Sequence, residues 1–467
     1  MKENKFRCHF SIVIENAFSA IWLVVLLAMG EIIDEVKNIR KGYLVGNNLI
    51  VLYILLAIIF IVLIVNILFW RKTYIFLDGK SLVVEKNTII SKKSNTIAMK
   101  NISNVNLEQN IFERFIGTYK IKIDTNSRST AEETDEKIII KKNKADIFRK
   151  SILNSIEKTS PELINEKDDE DIYTIKYSLK DVILHSIYST PISIGIYGGI
   201  VVVSLIINQF SNENKNIDEG IVQMLLGILV IFIPIVYSLC KNLFKFYGFK
   251  VGRKGDKIYI NYGLMTKKQY TVPVDKINAI VIDEPTISRI FKKKSIELVN
   301  IGMGDNDNES AQVLLSEGHN KYKEKLKLIL PEVELNENLK RQSKKVFYNN
   351  APYVIINLIC IGIFSMFTTM WFMLYMILPV IYYVLKYITY GIRIDENYLA
   401  VATGFFRKRT KYITYDKIQN ISFIQGPISK KNNIAKCNIF ILSSLINNVS
   451  CTGYYNIEEL EKINDKI

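Results

Sequence analysis

Crossing a hydrocarbon core about 30 Å thick takes roughly 20 predominantly apolar residues in a helix. This chain offers such a run six times, in three pairs: 12–30 with 49–70, 183–207 with 221–240, and 351–368 with 370–388. The second run, LIVLYILLAIIFIVLIVNILFW, carries no charge. The last two adjoin across Thr368-Thr369. One helix over 351–388 would be about 57 Å long, so a tight hairpin is expected there. The first two pairs are joined by 31–48 and 208–220, and the latter has one lysine and three acids. After every pair the chain turns basic: Arg71-Lys72, then Lys241, Lys245 and Lys250, then Lys386 and Arg393. An excess of Lys and Arg marks the cytoplasmic side. Together with Lys2, Lys5 and Arg7 it predicts six spans, both termini inside, and every large polar segment in the cytoplasm. The first run contains Glu15 and is followed by no small-residue cleavage site, so it reads as a retained helix. Glu15, His185 and Lys386 are the ionisable residues of the runs apart from Cys and Tyr, and all lie near run ends, where they are expected to reach the interface. No ladder of intramembrane acids or histidines suggests an ion path.

The mean hydropathy of +0.14 conceals two populations, because 23% of the 467 residues are charged and these cluster between the apolar runs. The net charge of +15 reads as topology and leaflet contact rather than nucleic-acid binding, since no recognition motif accompanies it. Cys8, Cys240, Cys360, Cys437 and Cys451 show neither a C-x-x-C pair nor a zinc spacing, and are expected to be isolated thiols.

The segments after the apolar pairs repeat one another. Each opens with an extended stretch carrying tyrosine (Tyr74, Tyr247, Tyr390), then an apolar strand beginning at Ser81, Lys257 and Tyr398. A turn follows, with two apolar residues and a basic group: Thr88-Ile89-Ile90-Ser91-Lys92-Lys93, Gly263-Leu264-Met265-Thr266-Lys267-Lys268 and Gly404-Phe405-Phe406-Arg407-Lys408-Arg409. Thirteen residues beyond Thr88, Gly263 and Gly404 come Asn101, Lys276 and Lys417, the last two inside Asp-Lys-Ile. The period-two alternation of Val, Ile and Tyr predicts strands, including 119–124, 137–140, 295–299, 312–315 and 438–442. Helical patterns at 145–156, 320–330 and 457–467 close the units. In the second, Tyr322, Leu326, Ile329 and Leu330 form an apolar stripe that a small antiparallel sheet would bury. The domain plan is therefore transmembrane hairpins at 1–70, 183–245 and 351–388, β-rich domains at 71–160, 246–332 and 389–467, and linkers at 161–182 and 333–350.

The order of span pair, Tyr-bearing strand, Gly-apolar-apolar-x-basic-basic turn and Asp-Lys-Ile resembles the bacterial pleckstrin-homology-like (bPH2) membrane proteins, and three tandem copies look like the YdbT-type members. The resemblance covers nearly the whole chain. It implies that each β-rich domain is a PH-like bent β-sandwich or partial barrel of about seven strands with a C-terminal helix. It does not imply phosphoinositide binding. The first copy departs most, with Thr88 for the turn glycine and Asn101 for the lysine. Because relatives are associated with antimicrobial-peptide resistance or with circular bacteriocins, the resemblance implies an immunity or secretion-accessory role. A composition rich in Lys and Ile matches a low-GC Gram-positive source.

The candidate lipid or partner contacts are Lys92 and Lys93, Leu264, Met265, Lys267 and Lys268, and Phe405, Phe406, Arg407, Lys408 and Arg409. Apolar side chains there would enter the interface while cations meet anionic headgroups, each worth about 1 kcal/mol near such a surface. The competing reading is a hairpin whose apolar residues join the core. Lys292-Lys293-Lys294 and Lys430-Lys431 would extend the basic face. No catalytic constellation, nucleotide fingerprint or metal-ligand spacing is recognisable among the scattered His9, His185 and His319. The stretch 302–309 is calcium-like only faintly, and 168–171 is an acidic linker run. The expectation is a non-enzymatic scaffold at the inner leaflet, without cofactor or metal, whose partners are the bilayer and other membrane or transport proteins. The alternative is a subunit of a transporter or channel complex.

Overall fold

The computed structural model describes residues 5–40, 48–78, 81–87, 92–125, 136–156, 172–211, 217–300, 310–367, 373, 375–441 and 449–467. Outside them lie Thr88, Ile89, Ile90 and Ser91 of the first basic turn, Thr368-Thr369, and the stretches 302–309 and 168–171. The chain forms two compact units. Unit 1 comprises 1–126 and 135–163, and unit 2 comprises 127–134 and 164–467.

Unit 1 holds one repeat, module 1. Helices α1 (Ser11–Arg40) and α2 (Asn48–Arg71) pack along each other. The antiparallel meander β1 (Thr73–Asp78), β2 (Ser81–Asn87) and β3 (Lys92–Ala98) follows. A single 3-10 turn at Met99–Asn101 leads to β4 (Ile102–Gln109), the short helix α3 (Ile111–Ile116), β5 (Thr118–Thr125), β6 (Glu136–Lys141) and α4 (Lys142–Ile156). Its core joins Ile75, Leu82 and Val84 of the meander to Val105, Leu107, Ile121 and Ile138, with Phe148 and Ile152 of α4 as the lid. Glu15, expected to reach the interface, pairs with Lys120 on β5.

Unit 2 runs through the same order twice. Module 2 comprises β7 (Ile175–Lys176), α5 (Leu179–Ser189), α6 (Ile192–Ser211), α7 (Ile217–Phe246), β8 (Lys250–Lys254), β9 (Lys257–Tyr262), β10 (Lys267–Pro273), β11 (Ala279–Glu284), α8 (Thr286–Ile290), β12 (Lys293–Val299), β13 (Ser310–Gly318) and α9 (His319–Ile329). Module 3 comprises β14 (Lys340–Arg341), α10 (Val346–Phe367), α11 (Ile377–Thr389), β15 (Gly391–Ile394), β16 (Tyr398–Thr403), β17 (Lys408–Thr414), β18 (Ile418–Ile424), α12 (Pro427–Lys431), β19 (Ile434–Ile441), β20 (Val449–Cys451), β21 (Tyr455–Asn456) and α13 (Ile457–Glu461).

The two modules are not separate sandwiches. Strand β11 pairs antiparallel with β12 on one side and with β17 on the other, giving a seven-stranded sheet in the order β13-β12-β11-β17-β16-β15-β14. The register sets Ile280 opposite Tyr412 and Ile282 opposite Thr410. Side chains alternate across a strand, so Ile280, Ile282, Ile296, Leu298 and Tyr412 join the core of module 2. Ala279, Val281, Val299, Leu399 and Ile413 join that of module 3. A strand with a core on both faces must be apolar at successive positions. Ala279-Ile280-Val281-Ile282 is, and all four residues are buried.

Several expectations shift. Ile175–Lys176 and Lys340–Arg341 fall in stretches read as linkers, yet they are edge strands that pair with β8 and β15, on the far side of the helices in sequence. Phe6 makes the equivalent bridge to Ile75 in module 1. Both ends of each helix pair are thus tied into one sheet. The expected span 183–207 is broken. Helices α5 and α6 bend by 54°, because Thr190 is extended and Pro191 supplies no backbone N–H. The α5 side chains Val182, His185 and Ser186 are buried, so His185, expected to reach the interface, faces the protein instead. The repeated Asp-Lys-Ile begins with a 3-10 turn (Val274–Lys276, Tyr415–Lys417) that swings the chain from one half-sheet to the next. The closing pattern 457–467 divides into α13 and a 3-10 turn at Asn464–Lys466.

Among the described residues three helical stretches are long and apolar enough to cross a membrane, Tyr53–Arg71, Leu225–Phe246 and Val346–Met366, or four if the bent α5–α6 pair counts as one. Helix α11 has 13 residues, about 20 Å of rise, short of a full crossing. Pairs α6–α7 and α10–α11 pack together. Gly198 of α6 lets Ile231 of α7 approach so closely that a Cβ at 198 would overlap its side chain.

Candidate functional site

The densest group of charges that the fold assembles lies where β11, β12 and β17 meet. Asp283 ends the apolar run of β11, and its side chain is only 3% exposed. Opposite it in register is Arg409, and Lys408 faces Glu284. Arg407, the last residue of the third basic turn, forks onto the Asp283 carboxylate, with Nε 2.5 Å from Oδ1 and Nη2 2.7 Å from Oδ2. This two-pronged geometry is the strong form of a charge-assisted hydrogen bond. Arg409 donates from Nη2 to Glu297 Oε2 at 2.6 Å, and Arg407 Nη2 lies 3.6 Å from the other Glu297 oxygen. Burial and the neighbouring Glu297 carboxylate push Asp283 above the usual carboxylate range, against the pull of Arg407. Burial, reinforced by the Arg409 charge, brings the Lys411 ammonium down to about 8. Burial likewise lowers Lys408.

A second polar contact lies within module 2. His185 of α5 and Ser316 of β13 approach to 2.8 Å, and the Ser316 backbone N–H donates to the same ring nitrogen, Nδ1. That nitrogen is therefore an acceptor and the proton sits on Nε2. Phe246, at the end of α7, packs edge-on against the imidazole at 4.9 Å. Helices α5 and α7 are thereby wedged against the sheet.

The three basic turns, alike in sequence, have different fates. In each, the last two cations begin a strand rather than sit in the turn, so their neighbours in the sheet decide their surroundings. Lys92 and Lys93 are exposed at the start of β3. Lys268 is buried and Lys267 half-buried at the start of β10. Arg407, Lys408 and Arg409 face Asp283, Glu284 and Glu297, so the cations expected to meet headgroups are engaged by acids of the preceding module. The apolar turn residues also differ. Leu264, Met265 and Phe405 are all exposed, but Phe405 also meets Tyr382 of α11 edge-on at 5.0 Å and lies tilted against Phe406 at 4.7 Å. The turn itself needs glycine. Gly263 and Gly404 adopt φ of 111° and 113°, and a Cβ there would overlap the carbonyl oxygens of Thr266 and Arg407.

Asp283 and Glu297 were not foreseen as site residues. The signal was present as an acid closing the run Ala279-Ile280-Val281-Ile282, since an acid next to a doubly buried strand needs a cationic partner. At the equivalent positions module 1 has Glu108 and Lys122, which pair with each other at 2.9 Å. Module 3 has Ile424 and Asn438. Lys276 and Lys417 sit beside Asp275 and Asp416 at 3.5 and 3.3 Å, and Lys417 also donates to the Asp275 carbonyl, joining the two corner turns. Among the described residues no group of three or more His, Cys, Asp or Glu is placed to hold a metal ion.

Comparison with known proteins gives a consistent picture. A family model described as "Bacterial PH domain" matches three times, at 22–156, 200–345 and 350–467, and every match takes in apolar helix as well as β-rich sequence. The chain is 23% identical over 455 residues to the UPF0699 transmembrane protein YdbT of Bacillus subtilis (strain 168), across 90% of this chain and 92% of that one. No solved structure matches.

Proposed function

This chain belongs to the bacterial PH domain family, and on that premise we propose that it is a non-enzymatic scaffold of the cytoplasmic membrane. Its helix pairs cross as three hairpins, six passes in all, with both termini and all three modules on the cytoplasmic face. The observation that carries this reading is the sheet shared by modules 2 and 3. One continuous sheet between two cores cannot hinge, so the helices that β14 and β15 tie to it, and α5, which His185 fastens to Ser316 of β13 in the same sheet, are held at fixed spacing. A rigid platform of this kind suits holding a second membrane protein in place. The transmembrane relative and the long apolar helices support the membrane setting. Headgroup contact falls to Lys92 and Lys93, and to Leu264 and Met265, whose exposure supports it. Phe405, as open as Leu264, shares that contact, whereas in Lys267, Lys268, Phe406, Arg407, Lys408 and Arg409 the role is chiefly the platform's own integrity. The physiological setting is defence against, or export of, membrane-active peptides.

The test combines two readouts. Cells lacking the gene are challenged with a panel of membrane-active peptides, and the tagged chain is extracted with its native lipid for mass spectrometry. Raised susceptibility together with a stoichiometric membrane partner is expected. Unchanged susceptibility across the panel, with the chain recovered alone, overturns the reading.

A further inference from the structure

The helices α3, α8 and α12 occupy the same place in the three modules, between the strand after the 3-10 corner and the strand that follows. Superposed by order, they read Asn110-Ile-Phe-Glu-Arg-Phe-Ile-Gly117, Pro285-Thr-Ile-Ser-Arg-Ile-Phe-Lys292 and Gly426-Pro-Ile-Ser-Lys-Lys-Asn-Asn433. The fourth position is buried in all copies, as Glu113, Ser288 and Ser429. The fifth is basic in all, as Arg114, Arg289 and Lys430. The eighth is left-handed in all, with φ of 75° at Gly117, 51° at Lys292 and 57° at Asn433. A left-handed backbone at a lysine is uncommon, so the same sharp exit from the helix is kept even where the side chain resists it.

The outer face is what varies. In α3 the face is Ile111, Phe112, Phe115 and Ile116, with Phe115 88% exposed. In and just after α8, Ile290 and Phe291 are 68% and 59% exposed. In α12 the same two positions are Lys431 and Asn432. Large apolar side chains this open to water on a two-turn projection need a cover.

Their location identifies the cover. Each helix sits at the start of its own module's first apolar helix. Lys120 bridges Glu113 of α3, 3.9 Å away, to Glu15 on α1, one turn before the exposed Phe18. The Ser288 hydroxyl of α8 donates to the Tyr188 carbonyl at 3.2 Å, and Phe291 packs at 5.6 Å on the Tyr188 ring, four residues before α6 begins. Lys345, just before α10, donates to the Asn432 carbonyl at 3.0 Å. The projections are thus level with the point where the chain passes into its apolar helices, and each carries a cation suited to lipid phosphate beside its apolar tip. We propose that α3 and α8 are interfacial anchors that bury Phe112 and Phe115, and Ile290 and Phe291, at the headgroup–acyl boundary of the membrane the chain occupies. The third copy, α12, has lost this function. The inference rests on the membrane setting but not on the scaffold role or the side on which the modules lie.

The full chain is reconstituted in vesicles of phosphatidylethanolamine and phosphatidylglycerol containing a lipid with a diazirine near its glycerol. After irradiation, adducts are mapped by mass spectrometry. Labelling at 111–116 and 287–291 is expected to exceed that at 427–432 and at the water-facing α9 several-fold. In the doubly substituted Phe112→Ser, Phe115→Ser chain, labelling at 111–116 is expected to drop while that of 53–71 stays. Labelling of 53–71 and 346–366 with none above the α9 level at either projection overturns the anchor while leaving the membrane setting intact. Absence of labelling at 53–71 and 346–366 as well overturns both.

Discussion

Asp283 is held at the base of a doubly buried strand by two prongs from Arg407, and its buried carboxylate depends on that half-exposed partner. Taking a carboxylate out of water costs several kcal/mol, and its partner in the low-dielectric interior offsets much of that. Removing one partner alone leaves a buried charge unmatched. Arg407→Ala, which strands the buried Asp283 carboxylate, is therefore expected to destabilise unit 2, read from thermal unfolding in detergent. The loss is less than the roughly 3–5 kcal/mol of a fully buried pair, because Arg407 is half-exposed and Arg409 stays 3.8 Å from Asp283. The double change Asp283→Ala, Arg407→Ala should cost less than the sum of the two, and strict additivity would count against a coupled pair. Lys411 makes the pH dependence specific. Its folded value, about 8, lies below the roughly 10.4 of an unfolded lysine. Between those values the unfolded chain binds the extra proton, so stability must rise with pH through that window and be flat below it. The expected slope is at most about 1.4 kcal/mol per pH unit for one such group, with Lys408 adding in the same direction. Unfolding midpoints between pH 8 and about 9.5 should climb in the natural protein and climb less in Lys411→Met. A midpoint that falls across this range would exclude the burial of both lysines. The need of Asp283 for a cation was legible, but which cations meet it was not, because a run of cations looks the same whether it meets water or an acid of another module.

At the scale of elements, the repeated turn is the feature on which sequence and structure agree most closely, and also where they part. The glycines at 263 and 404 were legible as turn residues, and their left-handed backbone confirms the physical need. Gly404→Ala is expected to lose roughly 1–3 kcal/mol through backbone strain, visible as a lower unfolding midpoint, whereas Gly426→Ala, at φ −90° and with only the Ser429 hydroxyl nearby, should change little. Equal losses at the two positions would mean that the strain argument is wrong. The strand at 119–124 was recoverable from alternation because Tyr119, Ile121 and Ile123 meet a core while Lys120 and Lys122 lie on the other face, whereas 295–299 and 312–315 are buried at every position. The two-residue strands β7 and β14 were not recoverable, since a pair of residues carries no period. Nor was the break between α5 and α6. Pro191 was visible in the sequence, but a proline inside an apolar run is equally compatible with a kinked continuous helix, and hydropathy reports the run and not its bend.

At the scale of the molecule, modules 2 and 3 fold as one body. A fragment ending at residue 332 would expose the β17-facing edge of β11, with the apolar Ala279, Val281 and Val299 uncovered on one face. Such an edge templates aggregation. That fragment is expected to aggregate on extraction, while the full chain remains monodisperse in the same detergent, as size-exclusion chromatography would show. A monodisperse shorter fragment would mean that module 2 closes its own sheet. The sequence by itself determined the apolar runs, the threefold repeat and the family, because hydropathy and order are local properties that survive any arrangement of the parts. Only the tertiary structure decided which half-sheet pairs with which, and hence that Arg407, Lys408 and Arg409 meet Asp283, Glu284 and Glu297. Strand pairing is a contact between residues more than a hundred positions apart, and three similar copies offer each edge several chemically equivalent partners. The choice among them rests on summed burial over two cores, which no single stretch of sequence contains.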